Sequence, residues 1–127
     1  MRKGTFARLE TRQQGRRLFL LSWPAYAAAY VGRYNYSAVM AAITAEGVLS
    51  LPAAGAVSTG YFVCYAVGQV LCGLLSQRVS PFGMIPAGLL FSAGCNMGMG
   101  MAPAGAMPIL WAANGLFQAR VWPPIVR

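Results

Sequence analysis

Apolar and polar positions along this chain fall into long blocks, with neither the two-residue alternation of a half-buried strand nor the stripe of a surface helix. Residues 18–43 form the first apolar block, interrupted by Pro24, Arg33, Asn35 and a few small polar residues. At ~1.5 Å of rise per residue such a block spans a ~30 Å hydrocarbon layer with some tilt. Further blocks cover about 53–75 and 83–102, and a fourth begins near Ile109 and continues to Arg127. The breaks hold turn and polar residues: Glu46, Gly47 and Ser50 in 45–52, Arg78 and Pro81 in 76–82, and Pro, Gly and Ala in 103–108. The pattern predicts an all-α integral membrane chain with spans at about 18–43, 53–75, 83–102 and 109–127, preceded by a polar tail over 1–17.

Composition agrees with this pattern. Of the 127 residues, 57% are hydrophobic and only 9% charged, against about 25% charged in ordinary soluble domains. A soluble domain of this size buries only about two-thirds of the surface its unfolded chain exposes, too little to hide so much apolar side chain.

The net charge of +8 matters for where it lies. Arg2, Lys3, Arg8, Arg12, Arg16 and Arg17 all precede the first apolar block, with Glu10 as the only acid among them. A basic tail abutting an apolar helix sets topology and meets anionic headgroups, so nucleic acid is not the expected partner. The tail and the Arg78 loop are expected on the cytoplasmic side. The Glu46 loop and the uncharged 103–108 loop are expected outside. The expected location is a multi-pass position in the bacterial inner (plasma) membrane. A cleaved signal peptide is the competing reading of the N-terminus, but Pro24 interrupts its apolar core and the chain stays hydrophobic long after Ala27-Ala28-Ala29.

The chain has no His, two acids and three Cys, and Cys64, Cys72 and Cys95 fall inside predicted spans. That inventory offers no imidazole base, no carboxylate pair and no CxxC, so neither an enzyme nor a metal or cofactor site is expected. Small residues instead mark helix contacts. Ala56, Gly60, Cys64, Gly68, Cys72 and Ser76 recur at every fourth position, and Gly94 and Gly98 form a GxxxG. Between lipid-embedded helices close approach through small residues supplies the van der Waals contact. Both features are expected to line helix seams.

Arg33 stands near the middle of the first span, where an arginine costs at least ~2.5–3.5 kcal/mol. At ~100° per residue, Tyr26, Tyr30, Tyr36 and Ser37 lie within about 60° of it, while Asn35 points nearly opposite, toward a neighbouring helix. Within the predicted spans no acid is present to neutralise Arg33. A hydroxyl- and ring-bearing stripe around a guanidinium suits a water-filled cavity that binds an anion bidentately. A structural arginine bonded to a backbone carbonyl is the alternative. Tyr61, Tyr65 and Gln69 cluster with Ser58 on one side of the second span and are the candidate opposite wall. Arg120 either faces that cavity or merely lies near the last residues.

Several segments together resemble the organophosphate:phosphate antiporter branch of the major facilitator superfamily. They are Tyr30-Val-Gly-Arg33-Tyr-Asn35, the 58–73 segment, Pro86-Ala-Gly-Leu89, Asn114-Gly-Leu-Phe-Gln118 and Trp122-Pro-Pro-Ile-Val-Arg127. The resemblance covers about residues 16–127. It implies a secondary transporter that exchanges a phosphorylated metabolite or related organic anion for inorganic phosphate by alternating access. Its fold would be two six-helix halves, of which this chain supplies three helices and part of a fourth from the N-terminal half. Arg33 would bind the phosphoryl group, and Gly73, Gln77 and Arg78 would match the family's gating loop. The implied partners are the anion, the bilayer and missing C-terminal helices of the same transporter. Three positions depart from the family pattern: Gln69 replaces a lysine of the glycerol-phosphate members, Gln77 replaces the acid of the gating loop, and Arg120 stands in a stretch that is usually small and apolar. A membrane sensor of sugar phosphate, a small self-associating four-helix protein and a truncated frame are the other readings.

Overall fold

A computed structural model describes residues 12–121 (for Pro81, the backbone only). Four α-helices follow in order: α1 Arg12–Ala45, α2 Leu51–Leu75, α3 Pro81–Met101 and α4 Met107–Gln118, with a short 3-10 turn at Ala104–Ala106 before α4. The basic residues before Arg12, and the Trp122-Pro-Pro segment with Arg127, lie outside the described residues.

The helix ends follow local chemistry. Gly47 adopts φ +71°, and Val48 N–H donates to the Ile43 carbonyl while Gly47 N–H donates to that of Thr44. That is the pairing of a glycine-terminated helix end, which only a residue free of Cβ strain closes easily. Ser50 then caps α2, its Oγ accepting from Ala53 N–H at 3.3 Å, and Pro52 sits in the first turn where its missing donor is no loss.

Two boundaries differ from the sequence expectation. Helix α1 begins at Arg12, so residues 12–17 are helix and not tail; Arg and Gln are good helix formers. Its 34 residues reach about 51 Å, well beyond the ~30 Å of a hydrocarbon core. It runs through Pro24 without interruption. Helix α4 ends at Gln118, and a turn follows over 119–121. There Arg120 and Val121 N–H donate to carbonyls three residues back, the tightening usual at a helix end.

Helix α4 is the central element, packed between α2 and α3. Tyr36, Val57, Tyr61 and Trp111 form the core. The Trp111 ring lies 5.1 Å from Tyr61 and 5.2 Å from Tyr36. Tyr36 Oη donates to the Ala54 carbonyl at 3.1 Å. A Cβ on Gly115 would stand 2.5 Å from the Tyr61 carbonyl oxygen, and one on Gly88 2.9 Å from that of Phe117. Those two glycines let α4 touch both neighbours.

The small-residue features act only in part. On α2, Gly68, Cys72 and Ser76 are buried, but Ala56 is exposed and Gly60 has open space beside it. Toward the N-terminus the seam passes to Ala54, Val57 and Tyr61. A row at every fourth residue winds around a helix of 3.6 residues per turn, so a straight seam leaves it. On α3 the buried line is Met84, Gly88, Ser92 and Cys95, and Gly94 of the GxxxG faces open space.

Large apolar side chains cover the outside, including Phe62, Val70, Leu90 and Met97. Helices Leu51–Leu75 and Phe82–Met101 are long and apolar enough to cross a bilayer. An assembly whose outer faces are this apolar has lipid as its solvent.

Candidate functional site

Helices α1, α2 and the end of α4 enclose a cavity of about 370 Å³. Its walls are Tyr26, Ala29, Tyr30 and Arg33 from α1, Tyr65 and Gln69 from α2, and Gln118 and Val121. The α1 contribution is set by the direction of side chains on a helix. They lean toward the N-terminus, so the neighbours of Arg33 are the residues three, four and seven places before it.

Tyr26 Oη donates to Tyr30 Oη at 2.8 Å. The guanidinium carbon of Arg33 lies 4.4 Å from the centre of the Tyr65 ring and 5.3 Å from that of Tyr30, within the range of cation–π attraction. The Tyr61 and Tyr65 hydroxyls also interact with the guanidinium. Arg33 Nε and Gln69 Nε2 are both buried without a hydrogen-bond partner. Unpaired buried donors are rare and costly, and two of them on one cavity wall mark a place for an acceptor. Glu46 is the one acid among the described residues. Thirteen residues along α1, about 20 Å, separate it from Arg33. Among the described residues no carboxylate competes for the guanidinium.

The cavity therefore gathers Tyr26, Tyr30, Arg33, Tyr65 and Gln69 of the residues singled out from the sequence. Ser37 is not among them: it is exposed on α1, one turn beyond Arg33 on the side away from which the arginine leans. Tyr61 is not on the wall either. It is 1% exposed, stacked with Tyr65 at 6.1 Å, and its Oη donates to Gln118 Oε1 at 3.1 Å. Tyr36, on the same projected stripe, turns into the core instead. Gly73, Gln77 and Arg78 lie at the end of α2 and in the turn after it, away from the cavity. Arg120 lies outside the cavity as well, its guanidinium 5.5 Å from the Phe117 ring.

Gln118 is the wall residue that reading the residues one by one did not single out. Its signal was available: Asn114 and Gln118 are amides one turn apart on an otherwise apolar helix. Gln118 Nε2 donates to Ser92 Oγ at 3.1 Å, and Ser92 Oγ donates to Asn114 Oδ1 at 2.6 Å. Asn114 and Asn96 each donate to the carbonyl of Gly32, at 3.2 and 3.3 Å. Asn35, as its projected direction indicated, reaches α3, where its Nδ2 donates to Asn96 Oδ1 at 3.1 Å.

Comparison with known proteins finds relatives in bacterial membranes. The chain is 30% identical over 104 residues to the membrane sensor protein UhpC of Escherichia coli, covering 81% of this chain and 24% of that protein. It is 30% identical over 107 residues to the glycerol-3-phosphate transporter of Haemophilus influenzae, covering 80% and 22%. The probable hexose phosphate transport protein of Chlamydia pneumoniae is 24% identical over 112 residues, covering 87% and 25%. The chain thus spans about a quarter of the length of the curated relatives it matches. No family model and no solved structure matches it.

Proposed function

The chain belongs to the organophosphate:phosphate antiporter branch of the major facilitator superfamily, and on that premise we propose that its Arg33 cavity is half of an anion site for phosphate and phosphate esters. The observation that carries the reading is a guanidinium seated in a cavity among tyrosine rings, with Nε unpaired and no acid near it. A phosphoryl group accepts from a guanidinium in two parallel bonds. Tyr30, Tyr65, Gln69 and Gln118 supply further donors around it, and Tyr26, donating to Tyr30, orients that hydroxyl.

In this reading the four helices open the N-terminal half of a secondary transporter. The N-terminus and the Arg78 turn face the cytoplasm across the bacterial inner membrane, because positive charge accumulates on that side. Arg33 lies at mid-membrane, where secondary transporters place substrate between two rocking halves. Binding an anion there screens the positive charge and lowers the barrier to reorientation, with exchange of phosphate for an organic phosphate as the result. The turn with Gly73, Gln77 and Arg78 closes the cytoplasmic side. Its Gln77 carries no charge, so closure there relies on hydrogen bonding and packing. A sensor of sugar phosphate uses the same cavity, and the sensor among the relatives keeps that second reading open.

Equilibrium binding of radiolabelled inorganic phosphate to the 127-residue chain in lipid nanodiscs tests the site. Saturable binding that Arg33→Lys weakens at least tenfold is the expected result, since a point charge does not replace a bidentate fork. Binding that is absent, or indifferent to Arg33→Lys, refutes the site. Phosphate exchange by vesicles containing a longer protein with this cavity separates transporter from sensor.

A further inference from the structure

The hydrogen bonds that tie α1 to α3 and α4 converge on residues 32–35. The most buried of them comes from Asn114, which is 0% exposed and forms no part of the cavity wall. Its Nδ2 donates to the Gly32 carbonyl at 3.2 Å while its Oδ1 accepts from Ser92 at 2.6 Å. The amide is therefore held from one side and grips α1 with the other. Asn96 shares the same carbonyl from α3. Gly32 itself has to be small, because a Cβ there would meet Gln118 Nε2 at 2.8 Å and Ser92 Oγ at 3.1 Å.

The gripped carbonyl belongs to the residue immediately before Arg33. Within the cavity the guanidinium is stacked on the Tyr65 and Tyr30 rings with Tyr61 beside it, and its Nε has no partner, so these contacts fix its distance from the rings and leave the aim of Nε to the helix that carries it. Rotation of α1 about its axis does set direction, and a helix turning by one-tenth of a revolution sweeps a long side chain by several ångströms. We propose that Asn114 is a positioning residue for Arg33: by fixing the Gly32 carbonyl it sets the rotation of α1 and so the point in the cavity where the guanidinium meets its anion. The proposal rests on the anion-site reading for its purpose, but its geometric part stands independently.

The test is nuclear magnetic resonance on the 127-residue chain in nanodiscs, following the Arg33 Nε–H signal, identified by its loss in Arg33→Lys. With the guanidinium carbon 4.4 Å from the Tyr65 ring centre and 5.3 Å from that of Tyr30, the ring currents are expected to displace that signal in the wild type. In Asn114→Ala it is expected to move away from that position while the Trp111 Nε1–H signal, deep in the core, stays. Phosphate affinity is expected to fall about threefold, the worth of an average hydrogen bond between helices in lipid. Asn96→Ala, which removes the other donor to Gly32 and the acceptor of Asn35, is expected to shift the signal the same way.

An Arg33 signal that stays in place in Asn114→Ala, with Trp111 also unmoved, overturns the proposal. Should Asn114→Ala fail to fold, seen as loss of the Trp111 signal, Asn96→Ala decides, and an unmoved Arg33 signal there overturns it. If the wild type ignores phosphate yet Asn114→Ala still displaces the Arg33 signal, the positioning role holds and the anion-site reading is what fails.

Discussion

The seam between α2 and α4 and the seam between α1 and its neighbours are built differently. Along the first, Gly115 lies against the Tyr61 backbone, Gly68 faces Ala119, and Trp111 stacks on Tyr61. Along the second, α1 buries only Ala29 and Tyr36 and is held by directional bonds at Gly32, Asn35 and Tyr36. In lipid, apolar transfer contributes little between helices, so close contact supplies most of the attraction, and individual hydrogen bonds average ~0.6 kcal/mol. The first seam is therefore the scaffold. The second is a lighter attachment whose bonds specify orientation, and it carries the arginine. Aim is separated from strength.

The largest effect that distinguishes the two seams is expected from Gly115→Val. Its Cβ would stand 2.5 Å from the Tyr61 carbonyl oxygen and 3.2 Å from Tyr65 N, both backbone atoms that cannot turn aside. A loss of about 3 kcal/mol is expected, read from denaturant titration in bicelles followed by tryptophan fluorescence. Asn35→Ala, on the lighter seam, is expected to cost under ~1 kcal/mol in the same assay. Equal losses would erase the distinction.

Next in size is Arg33→Leu. Phosphate binding in nanodiscs should disappear, a loss of at least tenfold on the strength of a bidentate charge-assisted pair. Stability should rise by about 1–3 kcal/mol, because a buried guanidinium without a counter-ion is costly in a membrane. A variant that loses both binding and stability would mean that Arg33 props the fold instead of waiting for a ligand.

The apolar blocks made α1, α2 and α3 legible in the sequence, since nothing but helix satisfies backbone donors across a bilayer. Helix ends were less so. Residues 12–17 look like tail because they are charged, and charge does not stop a helix from continuing into water. The cavity was legible from Arg33 outward on its own helix and from the Tyr65–Gln69 face of α2. Ser37 lies off the wall because angular projection ignores the N-terminal lean of side chains, and Tyr61 stands just behind the wall, bonded to Gln118 and beside Arg33. Asn114 and Gln118 stand out as two amides one turn apart on an apolar helix, but what they touch is not legible from that spacing. Their roles depend on Gly32 coming within reach of Asn114, and Ser92 and Tyr61 within reach of Gln118, tertiary facts that no periodicity encodes.

Gln69→Lys sharpens the comparison from the cavity side. Gln69 Nε2 is a buried donor without a partner, so the position already points its polar end where an acceptor is wanted. A lysine there adds a second positive charge to the cavity wall. Phosphate should bind about fivefold tighter at low salt, with the gain shrinking as salt screens the more exposed part of the field. Unchanged affinity would mean that the ligand sits too far from α2 to feel it.

The smallest effects are expected where small residues recur without being used. Gly60 and Gly94 both have open space where a Cβ would go, although the first belongs to the every-fourth-residue row and the second to the GxxxG. Gly→Ala in a helix interior gains roughly 0.5–1 kcal/mol of propensity when nothing clashes. Gly60→Ala and Gly94→Ala are each expected to raise stability by up to that amount, or at least to leave it unchanged. Gly88→Ala gains the same propensity but sets a methyl 2.9 Å from the Phe117 carbonyl oxygen, so its net effect is expected to be destabilising. The three variants differ by the same single carbon atom in the same kind of helix. A common response from all three, measured in one bicelle titration, would show that motif membership and not contact decides which glycines matter here.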